Sequence, residues 1–146
     1  MIRRIAREMV LQSLFQIDFT KCEPEAALQA ALEYQKEGDE DKTVVDAHKE
    51  EELTKAMEYA QKLMDGILSN VEAVDESIGK YAIDWTVERM PATDRNILRI
   101  AAYEMLFAEE KLAPGVAINE AVEIAKLYGT EESPRFINGI LGKMVK

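Results

Sequence analysis

Apolar residues recur at helical spacing along almost the whole 146-residue chain, and this periodicity constrains the fold most strongly. Ile2, Ile5, Met9, Val10, Leu14 and Ile17 predict a first helix running to about Phe19. Pro24 opens a second, with Ala26 to Tyr34 following. A long helix is expected from about Lys49 to Ser69, with Leu53, Ala56, Met57, Ala60, Leu63, Met64, Ile67 and Leu68 as its core stripe. Asn70 then reads as the cap of a helix carrying Val71, Val74 and Ile78. Gly79 and "AIDW" mark its fraying end.

Pro91 restarts the pattern, with Ile97, Leu98, Ala101, Ala102, Met105 and Leu106 on one face. Pro114-Gly115 breaks it. Val116, Ile118, Ala121, Val122 and Ala125 follow, and Gly129 reads as a C-terminal stop. Ser133-Pro134 reads as an N-cap and first-turn proline, ahead of the inward-facing Phe136, Ile137, Ile140, Leu141 and Met144. Residues 37–42, "EGDEDK", read as an exposed loop. No stretch joins period-two alternation to β-branched enrichment, so no sheet is expected. The fold class is all-α, with about seven helices joined by short connections that favour antiparallel neighbours.

The charge is uneven. The net figure is -10. Residues 1–22 hold four basic and two acidic side chains, residues 23–76 five and sixteen, and residues 77–146 nine and ten. The acidity belongs to the middle third. No apolar run is long enough for a membrane span, and the N-terminus lacks the apolar stretch of a signal peptide. Cys22 is the only cysteine, which excludes an internal disulfide and points to a reducing cytoplasm.

Catalytic chemistry needs a constellation, and none assembles. His48, the only histidine, sits among Asp46, Lys49 and Glu50 and reads as a solvated surface residue. Cys22 reads as a small residue at a helix end. There is no zinc, nucleophile-elbow or phosphate-loop motif. "DEDK" lacks the alternating ligands of a calcium loop. Glu123 and Lys126, three apart, read as a pair across one helical turn. The chain is therefore expected to be no enzyme and to hold no metal or cofactor.

Three arginines fall in the first seven residues, in "RRIARE". At 100° per residue Arg3 and Arg7 share one face, with Arg4 beside them, opposite Ile2, Ile5, Ala6 and Met9. Stability would favour acidic residues at a helix start. Two readings fit: solubilising charges near a terminus, or an anion site in which forked guanidiniums meet phosphate. The acidic middle would repel long duplex nucleic acid. A short single-stranded RNA held on one basic face is compatible.

A second question lies in "SPRFINGILGKM", residues 133–144. Gly139 and Gly142 cost a helix about 1 kcal/mol each against alanine. Close packing of another helix is the favoured account for Gly142; approach of a ligand is an account for Gly139, beside Asn138. Arg135 and Phe136 open the same helix. Phe136 serves as core, or, if partly exposed beside Arg135, as a stacking platform for a base.

"RRIARE", "MPATDRNILRIAAYEML" (90–106), "VAINEAVEIAKLYG" (116–129) and "SPRFINGIL" (133–141) together resemble the NusB family of bacterial transcription antitermination factors. The resemblance covers nearly the whole chain in order, least so in residues 20–50, which are given no role. It implies a single RNA-binding domain over residues 1–146, made of two small helical bundles packed across each other, with no catalysis. It implies binding of single-stranded boxA RNA from nascent ribosomal RNA transcripts, together with NusE, a small-subunit ribosomal protein. The pair would help build an RNA polymerase antitermination complex. On this resemblance Arg3, Arg4, Arg7, Lys126, Arg135, Phe136, Asn138 and Gly139 face RNA, and Tyr81, Asp94 and Glu132 face NusE. A homodimer is compatible with the sequence. The competing readings are a helical protein–protein scaffold without an RNA role and, because the same helical fold occurs in some RNA methyltransferases, an RNA-modifying enzyme.

Overall fold

The computed structural model describes residues 2–37 and 47–145, with side chains from residue 49 onward in the second stretch. Among these residues the chain forms seven α-helices and no strand. They are α1 (Ile2–Thr20), α2 (Pro24–Glu37), α3 (Ala47–Ser69), α4 (Val71–Gly79), α5 (Ala92–Leu106), α6 (Pro114–Tyr128) and α7 (Ser133–Met144). A short 3-10 turn, Val87–Arg89, precedes α5. The expected exposed loop at 37–42 falls outside the described residues beyond Glu37, and so does the side chain of His48.

Two compact units divide the chain, Met1–Met64 and Asp65–Lys146. In the first, α1 packs along α2. Met9, Val10 and Leu14 of the expected α1 stripe are buried, whereas Ile2, Ile5 and Ile17 are half-buried and Leu11, outside that stripe, is buried; Ala27, Leu28 and Ala31 on α2 and Leu53, Ala56 and Ala60 on α3 are buried as well. Met57, expected in the stripe, is half-buried, and so is Leu68 further along the same helix. Helix α1 ends on a residue other than glycine. Lys21 takes a positive φ of 58°, and its N–H donates to the Ile17 carbonyl at 2.9 Å. Cys22 lies in the short link that follows, half-buried and free of any disulfide.

The second unit is organised around α5, which packs against α4, α6 and α7. Nine of its fifteen residues are buried, including Asp94, Asn96 and Glu104, so it is covered on more than one face. Leu106 departs from the expected apolar face: it ends the helix and is 37% exposed. Asp75 and Arg99 tie α4 to α5 through two bonds of 2.8 Å, and Arg99 Nη1 also donates to Asn96 Oδ1 at 3.0 Å.

Three expected helix signals act differently. Asn70 precedes α4, but its side-chain amide donates backward to the Gly66 carbonyl at 2.7 Å and makes no forward cap. Pro114 lies inside α6 as a first-turn residue, where its missing N–H costs nothing. Gly129 ends α6 in an extended conformation, φ -96°, so no left-handed stop is present. Its glycine is required by space: a Cβ there would lie 2.5 Å from Ser133 Oγ. Ser133 starts α7 rather than preceding it. Its hydroxyl accepts from the Thr130 N–H at 2.9 Å and so closes the α6–α7 turn. Gly142 is not a close-packing site, because a Cβ on it would meet nothing within 4 Å.

Candidate nucleic-acid interface

The candidate residues fall into two groups, one in each unit. In the first unit, α1 brings Arg3 and Arg7 to one ring. Arg3 Cζ lies 5.1 Å and Arg7 Cζ 5.9 Å from the centroid of Tyr59 on α3. Both distances are within cation–π range. The shared face is as the spacing predicts, but the exposure is not. Arg3 is exposed, Arg4 half-buried and Arg7 buried, with 4% of its surface open. Arg4 and Arg7 are also engaged by other groups of the chain. Arg7 is thus a structural cation under an aromatic ring, and Arg3 is the guanidinium of this group that solvent reaches freely.

In the second unit the first turns of α7 present Arg135, Asn138 and Gly139 to solvent, with Phe136 half-buried beside them. These residues are adjacent because positions 135, 138 and 139 follow the three- and four-residue helical repeat. Phe136 meets Trp85, ring centroids 5.8 Å apart and planes 71° apart, an edge-to-face contact. Above Gly139 the space is open: a Cβ would meet nothing within 4 Å. Among the described residues no ion pair holds the Arg135 guanidinium. Lys126, on α6, is exposed but paired with Glu123 at 3.1 Å, as the spacing of these two residues predicts.

Of the residues expected to face a protein partner, Glu132 is exposed and Tyr81 half-buried. Asp94 is not on an open surface. Only 6% of it is exposed. Burial pushes its carboxyl above the usual carboxylate range, and a hydrogen bond from Ser133 partly offsets this. That bond joins the start of α5 to the start of α7. Asp94 therefore positions the helix that presents Arg135 and Phe136, and the spacing of the motif alone gives no sign of this internal role.

Trp85, beside Phe136, is a further candidate that helical spacing does not mark. It lies in the non-helical stretch between α4 and α5, where periodicity is silent. The available signal was that it is the only tryptophan in the chain.

These features define an all-helical binding protein whose exposed guanidiniums and aromatic rings suit a polyanion carrying planar bases. A family model described as the NusB family matches residues 4–146. The transcription antitermination protein NusB of Bdellovibrio bacteriovorus is 42% identical over 144 residues, which covers 99% of this chain and 95% of that protein. The NusB of Heliobacterium modesticaldum is also 42% identical over the whole chain, which spans 63% of that longer relative. Among solved structures, T. maritima NusB superposes with a TM-score of 0.76 at 38% identity, covering 97% of this chain and 89% of that one. A structure of the antitermination factors NusB and NusE in complex with double-stranded RNA matches with a TM-score of 0.74 at 26% identity, over 98% and 95% of the two chains. The chain belongs to the NusB family of transcription antitermination proteins.

Proposed function

We propose that this chain is a non-catalytic, cytoplasmic RNA-binding antitermination factor. It binds boxA-type single-stranded RNA of nascent ribosomal RNA transcripts together with NusE, within an RNA polymerase complex that resists termination. Family membership supports the class of function. The observation that carries the RNA assignment is the start of α7, where a half-buried Phe136 stands among exposed Arg135, Asn138 and Gly139. A guanidinium can fork onto phosphate, a primary amide can read a base edge, and a bare Cα admits close approach. Unpaired bases, unlike stacked duplex bases, can offer their faces to an aromatic ring. Arg3 and Arg4 add positive charge at the start of α1, where unsatisfied N–H groups already favour anions.

Lys126 contributes only by exchanging Glu123 for a phosphate. Arg7 acts through Tyr59 and not by direct contact. The NusE side is proposed to use Tyr81 and Glu132, with Asp94 removed from that surface by its burial. The two compact units are proposed to serve one RNA-binding function, because the family match runs unbroken through both. No helix among the described residues is long and apolar enough to cross a membrane.

Exposed residues make the cleanest test. Arg3→Glu and Arg135→Glu should each weaken RNA binding by the NusE-loaded protein, with an unchanged helical circular dichroism signal. Unaltered affinity in the double variant would remove RNA contact from both helix starts.

A further inference from the structure

Trp85 is 45% exposed and its neighbour Ile83 is 67% exposed, although both lie in a short connection pinned at each side. Ala82 and Val87 are buried, at 7% and 8%, and hold the segment to the core of its unit. Between them Asp84 takes a left-handed φ of 66°, and the Trp85 N–H donates to the Ala82 carbonyl at 3.3 Å. Aspartate tolerates that conformation better than most residues, but it still disfavours it. The turn therefore spends conformational energy in a place where it leaves the largest side chain of the unit uncovered. A tryptophan is ordinarily covered by its own fold, so an exposed one beside a second aromatic marks a contact surface.

The chemistry around the ring selects the occupant. Trp85 and Phe136 meet edge to face, and Trp85 keeps 45% of its surface open to solvent. The exposed neighbours of Phe136 on α7 are a guanidinium, a primary amide and a backbone open to solvent at Gly139. We propose that Trp85, packed edge to face against Phe136, stacks an unpaired base of single-stranded RNA, with Arg135 on the adjoining phosphate. Trp85 supplies the stacking face, a contact that adds affinity for any base, and its edge-to-face contact also positions the Phe136 ring. The assignment rests on the RNA-binding reading given above. It adds to that reading a residue outside α1, α6 and α7.

The experiment uses the full chain with NusE, with 5-fluorotryptophan incorporated into this chain alone. The single tryptophan gives one fluorine resonance, from position 85. A labelled boxA-like single-stranded RNA is titrated, and its anisotropy is followed alongside the fluorine spectrum. The expected result is a resonance that moves in step with anisotropy and saturates with it. Saturating anisotropy with a stationary resonance overturns the Trp85 platform and leaves RNA binding standing. A resonance moved by NusE alone, with no further change on RNA addition, assigns the surface to the protein partner and also overturns the platform. No anisotropy change at all, from folded complex, overturns the RNA-binding reading itself. Trp85→Leu should weaken RNA binding about tenfold, the scale of one stacked base, and Trp85→Phe should restore most of it. Equal affinity of the leucine variant and the parent would contradict the proposal.

Discussion

Asp75 and Arg99 offer the clearest energetic test of how the second unit is held together. The two side chains join α4 to α5 by parallel bonds of 2.8 Å, with Arg99 15% and Asp75 27% exposed. A fully exposed pair contributes about 0.2–1 kcal/mol, because water screens it and two side chains must be ordered. A hydrogen bond to a charged group out of water contributes about 1.5–3 kcal/mol. This pair is mostly covered and bidentate, so Asp75→Ala should cost about 2 kcal/mol. The Asn96 carbonyl oxygen still accepts from Arg99 Nη1 at 3.0 Å, which limits the penalty on the orphaned guanidinium. For a chain of this length the loss corresponds to a fall of about 6 °C in melting temperature. A double-mutant cycle with Asp75→Ala and Arg99→Met, read by urea unfolding, isolates the pair itself. The expected coupling is about 1–1.5 kcal/mol, only weakly reduced by salt. Coupling below about 0.3 kcal/mol, within the additivity error of such cycles, would show that the pair adds nothing to the α4–α5 junction. It would mean that apolar contacts alone fix α4, and with it the start of the segment that carries Trp85.

Asp94 predicts a pH dependence with a definite sign. Its folded pKa is raised by burial, so its contribution to stability is fully present below the unfolded value and is lost as pH rises through the folded value. Asp94→Asn, which keeps an acceptor for Ser133, should therefore gain stability relative to the parent between pH 4 and pH 7 in thermal melts; a constant difference would contradict the buried carboxylate. Gly129→Ala should destabilise the protein by about 1–3 kcal/mol, since its Cβ would collide with Ser133 beside the start of α7. Gly142→Ala should do the reverse and add about 0.5–1 kcal/mol, because the position is helical and open; a loss in chemical denaturation would show hidden packing there.

The helices were legible because burial of an apolar stripe requires the 3.6-residue period, and that period is written into α1, α3, α5 and α7. What escaped depends on partners distant in sequence. Arg7 looks like a surface cation until Tyr59, on another helix, covers it. Asp94 looks like a surface acid until α7 closes over it. Local capping signals were ambiguous for a related reason. Asn70 can bond forward or backward, and Gly129 serves either a left-handed stop or a tight approach; only the fold chooses. Trp85 lies where no period operates, so only its rarity pointed to it. The α7 residues Arg135, Phe136, Asn138 and Gly139 were legible together because one short helix start holds them all.

Exposed guanidiniums and aromatic rings of this chain are proposed to hold single-stranded boxA RNA in concert with NusE. The most direct measurement is the anisotropy of a short labelled boxA-like RNA titrated with the chain, with and without NusE, at two salt concentrations. The expected result is selective binding over a scrambled RNA, tighter with NusE and weaker at the higher salt, with a slope of about 0.7 per phosphate neutralised. Folded protein that fails to bind in the presence of NusE, or binds boxA and scrambled RNA alike, would contradict it.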